Sequence, residues 1–198
     1  MGKQIEFWFE FASTYSYLAA ERIERLAKAA GVTVLWRPFL LGPIFASQGW
    51  NNSPFNIYPV KGKYMWRDMA RLAADYGLPL RHPTAFPRNG LLAARVTLAH
   101  ESQPWIGDFV RGIYRANFAE DREISDPAVV AAVLQTCGVD PGSALDAANA
   151  EANKARLKAQ TERAIALGLF GAPSFTVGDE LFWGNDRLEQ ALAFARKA

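Results

Sequence analysis

The chain has 198 residues, half of them apolar and 21% charged, with 22 basic against 20 acidic side chains dispersed along its length. That balance offers no basic face for nucleic acid or an anionic membrane surface, and no stretch approaches the ~18 apolar residues of a membrane span. A single cysteine, Cys137, excludes an internal disulfide, a cysteine-rich metal site and any Cys-x-x-Cys redox couple.

Residues 5–11 mix β-formers with an alternating charge and read as a strand. Glu6 and Glu10 in that stretch leave no room for a signal peptide, so a cytoplasmic location is expected. Apolar residues then take helical spacing at Ile23, Leu26, Ala27 and Ala30, up to a closing Gly31. The junction between them is Ser13-Thr14-Tyr15-Ser16. Free backbone N–H groups and the positive dipole end gather at such a helix start, so an anion, thiolate included, is stabilised there without a charged side chain. Ser and Thr are also the commonest N-caps, and a purely structural cap fits the same residues.

Val32, Val34 and Trp36 mark a second strand ending at Pro38, which completes a right-handed βαβ unit with parallel strands. Residues 42–60 are punctuated by Gly, Pro and Asn yet carry Ile44, Phe45, Trp50, Phe55, Ile57 and Tyr58; they read as a long loop that covers or lines something. Residues 61–167 show no strand and five or six helical segments. One helix carries Met65, Met69, Leu72 and Tyr76, another runs from about residue 89 to 100, and a third starts at the Asp126-Pro127 cap. Cys137 falls on the apolar face of that third helix, as a buried core residue. Beyond Gly168, Ala172-Pro173 leads into a hairpin, residues 174–177 and 180–183. Gly184-Asn185-Asp186 then opens a closing helix, with Asn185 or Asp186 as its cap. The order βαβ, helical insertion, ββα is that of an α/β thioredoxin-like fold with a large all-helical insertion. Residues 1–41 and 168–198 form its discontinuous domain, and residues 42–167 form the loop and helical insertion.

In that fold the Ser13 junction faces the proline of Ala172-Pro173, which is expected to be cis, and the Ala172 backbone is free to pair with a peptide-like ligand. A strand-start proline is the plainer alternative. Asn185 and Asp186 are either a simple cap or the holder of an amino-acid end, with backbone amides on the carboxylate and Asp186 on the ammonium. His82 and His100 have no partners at metal-ligand spacing.

Taken together, the segments 9–19, 39–45, 53–56, 170–174 and 182–188 resemble the 2-hydroxychromene-2-carboxylate isomerases, which group with kappa-class glutathione transferases and DsbA-type thioredoxin-fold proteins. The motifs involved include Phe9-Glu10-Phe11-Ala12-Ser13, Gly171-Ala172-Pro173-Ser174 and Trp183-Gly184-Asn185-Asp186-Arg187. The resemblance implies a homodimeric, glutathione-dependent cis–trans isomerase. Its reaction would interconvert 2-hydroxychromene-2-carboxylate and trans-o-hydroxybenzylidenepyruvate in aromatic-compound degradation. It implies Ser13 as the catalytic residue that holds the glutathione thiolate, and Ala172, Trp183, Gly184, Asn185 and Asp186 as further glutathione contacts. The substrate is a small aromatic carboxylate, with Asn56 and Phe86 near it.

The chain departs from the family pattern in two places. Thr14 stands where proline commonly follows the serine, and the lysine and Asn-Arg pair that bind the substrate carboxylate are missing. Lys61, Lys63, Arg67 and Arg88 offer replacement charge. That loss keeps two other functions open: a kappa-like glutathione transferase or peroxidase on another electrophile, and a non-catalytic thioredoxin-fold binding protein.

Overall fold

Alternation along the first strand, β1 (Gln4–Phe9), decides how the sheet is covered in the computed structural model, which describes residues 3–197. Ile5, Phe7 and Phe9 enter the main core, while Trp8 points the other way, into a second apolar cluster with Phe39 and Leu169. The next helix, α1 (Thr14–Ala30), ends on Gly31 in the left-handed conformation, φ +67°. The second strand, β2 (Thr33–Pro38), runs parallel to β1, as the βαβ pattern requires. The hairpin of β3 (Ser174–Val177) and β4 (Glu180–Trp183) joins through β3, antiparallel to β1, in the sheet order β2-β1-β3-β4. This is the thioredoxin-like arrangement expected from the sequence.

Aromatic packing holds the sheet. Phe7 lies 5.0 Å from Phe9, 5.5 Å from Trp36 and 5.4 Å from Phe175, ring centre to ring centre, and the three phenylalanines are fully buried. Each contributes roughly 1.5–3 kcal/mol by burial alone. On the opposite face Glu6 accepts from Arg37 (2.9 Å), from both terminal nitrogens of Arg163 (3.0 and 2.8 Å) and from Thr176 (2.9 Å). Burial pushes the Glu6 carboxyl up, but these donors together hold it below its ordinary value.

The insertion contains α4 (Pro59–Tyr76), α5 (Leu91–Ala99), α6 (Ile106–Phe118), α7 (Pro127–Thr136), α8 (Pro141–Asn149) and α9 (Glu151–Ala166), after two short helices, α2 (Leu41–Ser47) and α3 (Pro54–Ile57). Residues of α1, of the sheet and of α4 to α9 share one continuous core. Arg163 of α9, paired with Glu6, also lies 5.0 Å over the Trp8 ring and fastens that helix to the sheet.

Four local expectations differ from what is observed. β1 ends at Phe9 rather than residue 11, because the carbonyl of Glu10 turns to accept from the Ser13 amide at 2.9 Å and closes the loop. Residues 42–60 are not a continuous loop. Pro43 sits in the first turn of α2, where its missing N–H costs nothing, and Ser53 caps α3 with Pro54 at the first position. Neither Asn185 nor Asp186 caps the closing helix, α10 (Leu188–Ala195); a 3-10 turn, Asn185–Arg187, intervenes. Cys137 lies at the C-terminal end of α7, half-buried rather than buried, and desolvation raises its thiol pKa, which keeps it protonated.

Candidate active site

The N-terminus of α1 opens on a cleft of about 1040 Å³, walled by the sheet side of the fold and by α2, α3 and α4. The four hydroxyls at the junction have separate fates. Thr14 is buried and donates to the Met65 sulfur at 3.3 Å, and the Tyr15 hydroxyl donates to Asp68 at 2.9 Å. The Ser16 hydroxyl is buried and has no hydrogen-bond partner among the described residues. The fourth, on half-buried Ser13, lines the cleft and has no carboxylate partner. Its oxygen accepts from the Ser16 amide at 3.2 Å as an N-cap and donates to the Ala172 carbonyl at 2.9 Å. The structural cap and the candidate site residue are therefore the same atom. Among the described residues the amides of Thr14 and Tyr15 have no hydrogen-bond partner, and the first turn of α1 holds no acidic residue. An anion beside Ser13 would meet two free donors and a positive helix end.

Ala172 and cis Pro173 face this junction, and the Ala172 N–H is also without a partner among the described residues. Further along, Gly184 (φ +113°) turns the chain so that the amides of Asn185 and Asp186 point free at the start of the 3-10 turn. The Asn185 side chain is buried and accepts from Arg22 at 3.0 Å, so it anchors the turn; its backbone, not its amide group, is available to a ligand. The Asp186 carboxylate is largely exposed, and its only ion pair among the described residues is with Arg187 at 3.5 Å. Trp183, 52% exposed, packs against Phe170 (4.8 Å) at the cleft mouth. Ser13, Ala172, Trp183, Gly184, Asn185 and Asp186 all line the one cleft.

The two residues expected near a substrate part company. Phe86 lines the cleft, edge-on to Trp66 at 5.1 Å. Asn56 does not: its side chain donates to Asn52 and to the Phe86 carbonyl, both at 3.1 Å, and holds the wall from behind. Of the replacement cations, Arg88 borders the cleft but turns its guanidinium to Asp121, Asn117 and Thr84. Lys61 lies over the Phe55 ring at 5.8 Å and is in no ion pair among the described residues, while Lys63 and Arg67 do not line the cleft. His82 packs on Trp66 at 4.0 Å, His100 reaches the Ala144 carbonyl, and no cluster suited to a metal ion occurs among the described residues.

Glu10 is a site residue that sequence reasoning left as part of a strand; its spacing of three from Ser13, at a strand end, is the signal that points to the loop. One carboxylate oxygen accepts from the Ala12 amide at 2.9 Å, yet burial pushes its pKa from 4.5 up to about 7. A carboxyl raised in the folded state binds its proton there before the unfolded chain does, so stability falls as pH rises from 4.5 to about 7. Glu10→Gln should therefore raise the thermal midpoint at pH 8 and leave it unchanged at pH 4, checked by calorimetry across that range.

The fold and the loop define a thioredoxin-fold protein that carries a hydroxyl, not a thiol, at the start of its first helix. Residues 4–194 match the DSBA-like thioredoxin domain. A 2-hydroxychromene-2-carboxylate isomerase of Sphingobium xenophagum is 30% identical over 190 residues, 96% of each chain. Glutathione S-transferase kappa 2 of Caenorhabditis elegans is 27% identical, over 97% of this chain and 91% of its own. The solved structure of a 2-hydroxychromene-2-carboxylate isomerase superposes with a TM-score of 0.87 at 27% identity, over 98% of this chain and 95% of the other. The chain belongs to the DSBA-like thioredoxin family, and its whole length is similar to 2-hydroxychromene-2-carboxylate isomerases and kappa-class glutathione transferases. No helix among the described residues is long and apolar enough to cross a membrane.

Proposed function

We propose that the protein is a glutathione-dependent isomerase that interconverts 2-hydroxychromene-2-carboxylate and trans-o-hydroxybenzylidenepyruvate. The observation that carries this reading is the 2.9 Å contact between Ser13 Oγ and the Ala172 carbonyl. It brings the start of α1, with its free amides, against the Ala172 backbone that precedes cis Pro173.

The cleft fits glutathione in three places. The Ala172 backbone pairs with the cysteinyl unit. The amides of Asn185 and Asp186 take the γ-glutamyl carboxylate, and the Asp186 side chain takes the ammonium. Glutathione supplies a thiolate that adds to the conjugated system, leaves a single bond free to rotate, and departs to release the other isomer. Ser13 turns its O–H from the Ala172 carbonyl to the sulfur, while the Thr14 and Tyr15 amides keep the sulfur anionic at neutral pH. Phe45, Trp50, Phe55 and Phe86 supply an apolar wall for an aromatic substrate, and Lys61 meets its carboxylate.

Titration calorimetry with glutathione, joined to the ultraviolet absorbance of a thiolate, tests the cofactor; saturable binding with a thiolate band at pH 7 is expected. Asp186→Asn should weaken that binding by no more than about fivefold, because the pair it forms is exposed and worth at most about 1 kcal/mol. Lys61 is the single unpaired cation lining the cleft among the described residues. The pairing of Arg88 with Asp121 and of Arg187 with Asp186 leaves little charge for a carboxylate and favours, as a second reading, transfer of glutathione to an uncharged electrophile. Parallel assays on a chromene carboxylate and on halogenated aromatics separate the two, and the first reading requires turnover of the carboxylate.

A further inference from the structure

Glu10 has no part in the chemistry above, although it stands at the foot of the loop that presents Ser13. Its backbone carbonyl accepts from the Ser13 amide and from the Tyr114 hydroxyl, both at 2.9 Å, and its Oε2 accepts from the Ala12 amide. Oε1 has no hydrogen-bond partner among the described residues, and it is absent from the sealed, unpartnered side-chain atoms of the interior. It is therefore reachable from solvent space. Glu10 borders two such spaces: the main cleft, and a second cavity of about 240 Å³ between the segments 40–43 and 89–91. Glu10, with Leu41, Gly42 and Asn89, thus lines both the Ser13 cleft and a hollow roomy enough for ordered water.

The groups around Glu10 leave its carboxyl free to exchange a proton. From α6, Tyr114 faces it with a hydroxyl whose pKa burial raises well above the ordinary value. From the loop before α5, Arg88 is committed to Asp121 and Asn89 is neutral. From the β2–α2 side, residues 40–43 carry no charge, and the first turn of α1, residues 14–17, carries none either. No ion pair involving Glu10 occurs among the described residues. Burial, with no cation paired to it among the described residues, pushes the carboxyl up to about 7.

We propose that Glu10 is the proton acceptor for the thiol of bound glutathione, reached through one water from the Ser13 site. This rests on the glutathione reading of the cleft. The S–H bond breaks, an O–H bond forms on Oε1, and the electron pair stays on sulfur. The proton returns to sulfur when glutathione leaves, or exits by the second cavity. The cleft never has to hold a carboxylate and a thiolate together, whose mutual repulsion would raise both pKa values.

The test counts protons released on binding glutathione, by calorimetry in two buffers of different ionisation enthalpy, alongside the thiolate absorbance. At pH 8 the wild-type protein should form the thiolate and release about zero protons, whereas Glu10→Gln should release about one. In the wild type alone, release should fall from about one proton to about zero as pH rises from 6 to 8, so a poorly folded variant leaves the proposal exposed. A structural role for Glu10 predicts the same release from both proteins at every pH, and that result would overturn the proton-acceptor role while leaving the glutathione site standing. Absence of saturable binding or of a thiolate band in the wild type would instead overturn the glutathione reading, and this inference with it.

Discussion

Ser13→Ala should leave the fold intact and lower glutathione-dependent turnover by roughly 10- to 100-fold, because a hydrogen bond to a charged partner is worth about 1.5–3 kcal/mol. Two roles are lost together. The Ser16 amide loses its cap, which lies 3.2 Å from Ser13 Oγ, at a stability cost of about 1 kcal/mol. The sulfur loses the one hydroxyl of the α1 junction left to meet it, since Thr14 and Ser16 are buried and Tyr15 is committed to Asp68. Ser13→Thr keeps an oxygen that can both cap and donate, and should retain most of the activity. Steady-state kinetics on both variants, with the thiolate band of bound glutathione recorded alongside, check this. Full activity and an unchanged band in Ser13→Ala would assign thiolate stabilisation to the α1 amides alone.

Gly62→Ala should be the most damaging small substitution on the cleft side. A Cβ at Gly62 would lie 2.1 Å from the Phe55 carbonyl oxygen, and backbone cannot swing aside as a flexible side chain can. α3 must then lift from α4, at about 1–3 kcal/mol and a fall of several degrees in thermal midpoint, given about 2–4 °C per kcal/mol for a chain of this size. Phe55 sits on α3 and forms part of the wall, so the variant should also raise the KM for an aromatic substrate. Gly42→Ala is the control for stability: it has nothing within 4 Å and an ordinary φ, and its thermal midpoint should not fall.

Much of the fold was legible because its signals are local and agree with one another. Gly31 after an apolar stripe, Pro127 behind Asp126, and a Gly178 turn between two short β runs each specify an element without reference to the rest of the chain. The helices within residues 42–60 were not legible for the opposite reason. α2 carries a proline and a glycine in its first turn, and α3 is held by a Ser53 cap and by contact with Gly62, which is tertiary. At the site, residue types at Ser13, Ala172 and Asp186 pointed to a cleft, but the sequence could not divide their backbone and side-chain roles. Asn185 illustrates this: its side chain is consumed by Arg22 in the core, and only its backbone N–H is left for a ligand. Asn56 and Arg88 failed likewise as cleft groups, since which way a polar side chain turns depends on partners far along the chain, Phe86 and Asp121 in these two cases. Glu10 was missed because its chemistry comes from burial, which a strand-like pattern with charge at alternate positions conceals.

The claim that a borrowed thiolate performs the reaction is tested most directly by following 2-hydroxychromene-2-carboxylate spectrophotometrically with glutathione, with S-methylglutathione and with neither. Conversion to the trans-benzylidenepyruvate isomer should require glutathione and fail with the methylated form, which fills the same cleft but cannot become a thiolate. Conversion at the same rate in all three would contradict the account, because the chain's own cysteine, Cys137, is held protonated and does not line the cleft.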